Sequence, residues 1–244
     1  QKAPFDDVRV RQAFLYANDL NEMNDRLFDG TGMVGKGLIT SRIPCYYEES
    51  ADYYNYDPEK AKALLDEAGW ITNEKTGIRE KDGQPLQVEG IAINPDRLSQ
   101  LEYTAIKLKE IGVDLKPQLI PGSMQIEKAN SGDFQLMYEE LGGTMPDNLY
   151  RMWYSGNHKQ GGWSWSGMVN DELDSLLVKA SETADEEERC VLFRDAQKLL
   201  VENAVALYGV SVPSYYAISS KVEGFRLVEP VGVRFFANDM YIAE

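Results

Sequence analysis

Apolar positions fall at helical spacing near the start of the chain. Val8, Val10, Ala13, Phe14, Ala17 and Leu20 follow the segment Pro4-Phe5-Asp6-Asp7 and predict a helix there. A second short helix is expected over 21–28, ended by Gly30. Residues 30–56 are rich in Gly, Pro and Tyr and keep no period, which predicts a long loop. The pattern over 58–68 is a helix with both ends marked. Asp57 can cap it, Pro58 suits its first position, and Glu59 opposes the positive end of the helix dipole. Ala61, Leu64, Leu65 and Ala68 form its stripe, Gly69 supplies a left-handed end, and Trp70 can fold back onto Leu65.

Downstream, the period switches between two and three to four. Asp82-Gly83 predicts a hairpin turn between short strands within 77–86. Residues 86–93 alternate as a strand. Residues 95–111 read as a helix with Leu98, Leu101, Ala105, Ile106, Leu108 and Ile111 inward, and 113–120 read as the next strand. Strand, helix and strand make a βαβ unit with a right-handed crossover and a parallel pair. A short helix over 122–130 and a strand over 134–139 follow. Residues 140–170 break pattern, with two Gly pairs, Pro146, Trp153, Trp163 and Trp165. Helices are expected over 171–180 and 185–203, the second turning Leu192, Phe193, Ala196, Leu199 and Leu200 inward. Residues 205–212 and 214–218 are apolar, strand-like runs, and the tail from Ser219 has no clear period. This alternation argues an α/β fold.

Composition narrows the function. A net charge of −15 repels nucleic acid and anionic membranes, and it favours cationic ligands if it favours any. No run approaches 18 apolar residues, so no membrane span is expected. No secretory leader opens the chain, which leaves the compartment open because a mature protein lacks one too. Cys45 and Cys190 are too few for a disulfide scaffold, and their spacing favours no bridge. Two free thiols are expected, although an oxidising compartment would permit a bond. The single histidine, His158, excludes a His-rich metal site and is expected on the surface. There is no Gly-x-Ser-x-Gly elbow and no phosphate-binding loop. Glu139 and Glu140, adjacent on a strand, would point to opposite faces and make a poor catalytic couple. No catalytic residue, metal ligand or cofactor is expected, and the chain does not read as an enzyme.

The string Tyr56-Asp57-Pro58-Glu59-Lys60-Ala61-Lys62-Ala63-Leu64-Leu65-Asp66-Glu67-Ala68-Gly69-Trp70 resembles a signature of the extracellular solute-binding proteins of peptide- and nickel-type ABC importers, family 5. Further blocks resemble that family in the same order. They are Pro4 to Phe14, Gly77 to Leu86, Leu108-Lys109-Glu110-Ile111-Gly112-Val113, Glu188-Arg189 through Ala196-Gln197 and Leu199-Leu200, and Val222-Glu223-Gly224-Phe225. The resemblance implies a periplasmic-binding-protein-like type II lobe with a mixed sheet flanked by helices. Full members are longer, and the Pro-Phe-Asp-Asp segment falls near their middle. Residues 1–213 are thus expected to form the C-terminal ligand-binding lobe of a two-lobed clamp, and 214–244 to cross to the first lobe. The implied function is the substrate-binding component of an ABC importer, capturing a peptide-like or other small polar solute by hinged closure. Implied partners are a small solute, peptide or cationic, and ABC permease subunits; no nucleic acid is implied, and the protein is expected to be a monomer. The implied location is periplasmic or extracellular, with a lipid anchor in the full-length protein of a Gram-positive organism. An α/β hydrolase, or a clamp-type sensor or chaperone without a transport role, are the alternatives.

In such clamps, loops at the C-terminal edge of the sheet line the cleft. Three segments qualify here: 139–147, 153–165 and the Gly-rich loop 30–44. The candidate ligand contacts are Glu139, Glu140, Gly142, Met145, Asp147, Trp153, Trp163 and Trp165. Indole rings offer large, rigid, semi-polar surfaces, though each tryptophan is equally suited to a core. Trp163 and Trp165 flank Ser164 and would share a face if extended, and Trp70 reads as structural. Peptide-binding members often carry an Asp about four residues before the Pro of this loop, holding the peptide α-ammonium. Here Leu141-Gly142-Gly143-Thr144-Met145 precedes Pro146, so Glu139 or Glu140 is left to supply negative charge. Sugars, opines and modified peptides stand beside ordinary peptides as candidate ligands.

Overall fold

A computed structural model describes residues 2–139, 146–158, 163–212, 217–225 and 240–242. Helix α1 (Val8–Ala17) starts where Asp7 accepts the Arg9 N–H at 2.9 Å. Helix α2 (Leu20–Phe28) is capped in the same way by Asp19 and ends at Asp29 in the left-handed region. A two-residue strand, β1 (Met33–Val34), follows within the long loop. Helix α3 (Pro58–Glu67) has the ends its sequence marks: Asp57 accepts from Lys60 N, and Trp70 N donates to Leu65 O at 2.9 Å across a left-handed Gly69. Strands β2 (Ile71–Thr72), β3 (Arg79–Lys81) and β4 (Gln84–Pro85) form an antiparallel ribbon. Its tip is Asp82-Gly83, both with positive φ, as a tight hairpin demands.

The central unit is β5 (Gln87–Ala92), α4 (Pro95–Glu110), β6 (Asp114–Leu119), α5 (Gly122–Ser131) and β7 (Leu136–Met137). Strand β5 lies between β6 and β7, and both pairings are parallel, with β5 and β6 in register from Gln87↔Asp114 to Ala92↔Leu119. The expected βαβ crossover is therefore present. Helix α4 lies close on the sheet: a Cβ at Gly90 would come 2.9 Å from Leu101 Cδ2 and 3.1 Å from Leu115 Cδ1. Helices α6 (Asn148–Trp153), α7 (Asp171–Glu182) and α8 (Glu186–Glu202) follow. Strand β8 (Val210–Ser211) pairs antiparallel with β1, and β9 (Val222–Glu223) pairs with β10 (Tyr241–Ile242). The apolar run 205–212 is thus strand only at its end, because β1 offers just two residues to pair with. Of the run 214–218, residues 214–216 lie outside the described residues.

Two cores result. One joins Val10, Phe14, Ala61 and Leu65 of α1 and α3 to Leu86, Val88, Leu101, Leu108 and Leu115 of the sheet and α4. The other joins Leu38, Ile39 and Ile43 of the long loop to Leu149, Trp153, Leu173, Leu177, Phe193 and Leu200 of α6, α7 and α8. Here one expectation is corrected. Cys45 and Cys190 are not free thiols but a disulfide, 145 residues apart in sequence, pinning the loop to α8. The second core folds the loop onto the helix, so the two sulfurs meet for reasons that spacing along the chain does not reveal. Gln197, buried beside them, donates to Cys45 O at 2.7 Å and accepts from Tyr47 N at 3.3 Å. Arg79, only 3% exposed, ties three segments together through Ile111 O, Trp70 O and Asp66.

Candidate functional site

The three parallel strands end at one edge, where their loops are free to carry function. Helix α4 starts there, two residues past β5, and Asn94 fixes its first turn by accepting the Arg97 N–H at 2.9 Å. This anchors the Arg97 backbone, and its side chain, 14% exposed, reaches the second residue after β7. That residue is Glu139, 29% exposed, and Arg97 Nη1 lies 3.6 Å from Glu139 Oε2. The approach to Glu139 is equally fixed: Tyr138 N donates to Ile91 O at 2.8 Å, and Gln125 Nε2 donates to Tyr138 O at 3.2 Å. Such a pair can attract an ammonium group to the acid and a carboxylate to the arginine.

The other sequence candidates fall in different places. Glu140, Gly142 and Met145 lie outside the described residues. Asp147 is exposed just ahead of α6 and makes no side-chain cap bond. Trp153 is buried in the second core, where its ring packs on the helices instead of facing solvent. Trp163 and Trp165 lie side by side, stacked with centroids 6.2 Å apart and planes at 22°, though not on an extended segment, since Trp165 N donates back to Trp163 O at 3.0 Å. The Arg151 guanidinium lies 4.6 Å over Trp163, which is 44% exposed, and Trp165 Nε1 donates to Asn130 Oδ1 at 3.2 Å. Helix α5 runs back from the sheet's C-terminal edge, and Asn130 is in its last turn. Ten residues of helix span about 15 Å, so the contact with Asn130 is made at the end of α5 remote from Glu139. Among the described residues no hydrogen bond or ion pair joins the two groups. The Gly-rich loop is largely consumed by structure, with Leu38, Ile39 and Ile43 in a core. Between it and α1 lies a cavity of about 70 Å³ beside Asn18, Asp19, Lys36, Tyr54 and Tyr208, room for a few waters and too small for a peptide.

Hydrolytic chemistry finds little support among the described residues. His158 is on the surface, and its Nδ1 donates to Ser164 O at 2.7 Å, not to a nucleophile's partner. Ser155 does meet a carboxylate: Asp174 accepts its hydroxyl and its backbone N–H together. That bidentate grip fastens the turn after α6 to α7, and no second base stands behind it in these contacts. No group of three or more potential metal ligands is present among the described residues. Arg97 was not anticipated from sequence. Its one legible signal is position, in the first turn of the helix that leaves the C-terminal end of β5.

The α/β fold is that of the periplasmic-binding-protein class, as the solved structures it matches show. Residues 1–163 match the model of the bacterial extracellular solute-binding proteins, family 5, middle region, and the chain belongs to that family. It is 30% identical over 240 residues to the dipeptide-binding protein of Escherichia coli K12, covering 98% of this chain and 43% of that protein. It is 30% identical over 214 residues to the nickel-binding periplasmic protein of the same organism, covering 84% and 40%. Among solved structures, NikA from Brucella suis in complex with Fe(III)-EDTA superposes with a TM-score of 0.73 at 28% identity, covering 85% of this chain and 42% of that one. The oligopeptide-binding protein AppA from Bacillus subtilis, in complex with a nonapeptide, shares the fold over 100% of this chain and 49% of its own, with a TM-score of 0.82 at 24% identity. The chain spans less than half the length of the relatives it matches. No helix among the described residues is long and apolar enough to cross a membrane.

Proposed function

We propose that this chain is the C-terminal ligand-binding lobe of the substrate-binding component of an ABC importer, acting in the periplasm or outside the cell. Membership of the solute-binding family over residues 1–163 carries this reading. In it, residues 1–213 form the lobe and 214–244 cross toward a second lobe. Ligand binds between the lobes and favours the closed clamp by its higher affinity for that state, and the closed form docks on permease subunits. The buried Cys45–Cys190 bridge supports an oxidising compartment. In a Gram-positive organism, a lipid anchor on the full-length protein would hold it at the membrane.

The ligand is a small polar solute, peptide-like or cationic, that places a positive group against Glu139. The side-chain pair at the sheet edge supports this, as does the negative net charge. Trp163, with its exposed ring, is a secondary candidate contact, and Asp147 a further one. Titration calorimetry of the full-length protein against dipeptides, nickel–histidine chelates and neutral oligosaccharides tests the class. Binding of a cationic or zwitterionic solute that Glu139→Gln weakens by about tenfold is the expected result, as for loss of one charge-assisted contact. Tight binding of neutral sugars alone, indifferent to that substitution, would refute the assignment of Glu139. Full affinity in the isolated chain would refute the two-lobe account.

A further inference from the structure

The backbone leaving α8 is held by side-chain amides instead of a long strand. Asn18 Nδ2 donates to Tyr208 O at 3.3 Å, and Thr104 Oγ1 in turn donates to Asn18 Oδ1 at 3.2 Å. Gln100, buried on α4, then treats Val210 as a neighbouring strand would. Its Oε1 accepts the Val210 N–H at 2.8 Å, and its Nε2 donates to Val210 O at 3.0 Å. On the opposite side β1 pairs Val34 with Val210 and Met33 with Ser211, and Gly35 N donates to Gly209 O at 2.9 Å. Strand β1 is itself held just upstream, where Asn24 grips Gly32 through both its N–H and its C=O, at 2.9 and 3.0 Å. A Cβ at Gly209 would fall 2.5 Å from Tyr138 Oη and 2.9 Å from Gln100 Oε1, so a side chain there would push the ends of both away from the strap. Val210 is buried, whereas Ser211 and Val212 are exposed.

A buried amide with both its groups satisfied is rigid, because moving it leaves a donor and an acceptor without partners. A residue fixed from two sides cannot share in a bend, so bending is displaced to the first residue that is not. We infer that the Gln100–Val210 clamp is the fixed end of the hinge between the lobes, and that Gln100 is its positioning residue. This rests on the two-lobe reading above. Tyr138 links the clamp to the ligand edge, since it touches Gly209's open side and is followed by Glu139.

The test uses the full-length protein that carries this chain, without ligand, as wild type and as Gln100→Met and Gly209→Ala. Amide exchange is followed by residue, and the distance between spin labels on the two lobes is measured by pulsed electron resonance. In the wild type, Val210 is expected to be protected while Ile218 exchanges freely. In both variants, exchange over 207–211 should rise at least about tenfold with α7 and α8 unchanged, a local opening and not a global one. The distribution of inter-lobe distances should broaden by roughly twofold as the hinge lengthens. Gly209→Ala keeps every clamp group and decides the matter if Gln100→Met does not fold. A wild-type Val210 that exchanges as fast as Ile218 overturns the clamp, and so does opened exchange with an unaltered distance distribution. A ligand-free wild-type protein with one narrow inter-lobe distance refutes the hinged two-lobe reading itself. A mobile wild type that neither variant alters refutes only the fulcrum.

Discussion

Opening the Cys45–Cys190 bridge should cost this chain a large part of its stability. The bond closes a loop of 145 residues. In the chain-entropy account, cross-linking so long a loop removes conformational freedom from the unfolded chain worth about 5 kcal/mol at 25 °C. One effect lowers the figure: real unfolded chains are more compact than the ideal one. The expected loss is therefore about 3 kcal/mol, a substantial share of the 5–15 kcal/mol typical of a whole domain. Urea unfolding of the oxidised chain, the chain with reductant, and the Cys45→Ala/Cys190→Ala variant checks it. The reduced chain and the double variant should agree to within about 1 kcal/mol, and both should show a steeper urea dependence because the unfolded state is more exposed. A loss below about 1 kcal/mol in the reduced chain would refute the reasoning, and so would an unchanged slope.

Three other outcomes follow from particular contacts. Arg79→Met removes the donor to Ile111 O and Trp70 O and should destabilise the chain by about 3 kcal/mol in urea titrations; a loss under about 1 kcal/mol would mean those carbonyls find other donors. The Glu22 carboxyl is pulled down to about 2 by its bond to Lys107, with help from Tyr103 and Arg26. A depressed carboxylate stabilises fully above its unfolded value near 4.5 and loses that contribution as pH falls toward 2. The melting-temperature gap between wild type and Glu22→Gln should therefore close between pH 5 and about pH 2, and a constant gap would count against the assignment. Gly90→Ala wedges a methyl against Leu101 and Leu115 and should cost about 1–3 kcal/mol, seen as a lower urea midpoint with unchanged slope; a neutral result would show that α4 can lift from the sheet without loss.

What could be read from sequence was local. Helix α3 declares its start, its stripe and its end within fifteen residues, because capping and helix period are short-range. The hairpin at Asp82-Gly83 and the parallel pair of β5 and β6 were legible for the same reason. Helix α4 shows where such reading stops. Ile106 belongs to its apolar pattern yet is 62% exposed, while Gln100, Tyr103 and Thr104 are buried. The helix packs on the sheet with one side and on α2 and β8 with another, and the second side recognises backbone through polar groups that a hydrophobic pattern assigns to solvent. The disulfide was hidden because its partners meet only through the second core. At the sheet edge, Glu139 was legible as an acid after a strand. Arg97 was not, because the pair spans two loops that only the topology of the sheet brings together.

The second core has a consequence for how the chain matures. Its early contributors, Leu38, Ile39 and Ile43, precede by more than a hundred residues the late ones, Leu173, Phe193 and Leu200. A chain made from its N-terminal end carries Cys45 without its partner, and its apolar loop without the side chains of α7 and α8 that complete the core, until α8 has followed. A fragment cut after residue 163, where the family match stops, would keep the loop in that state permanently.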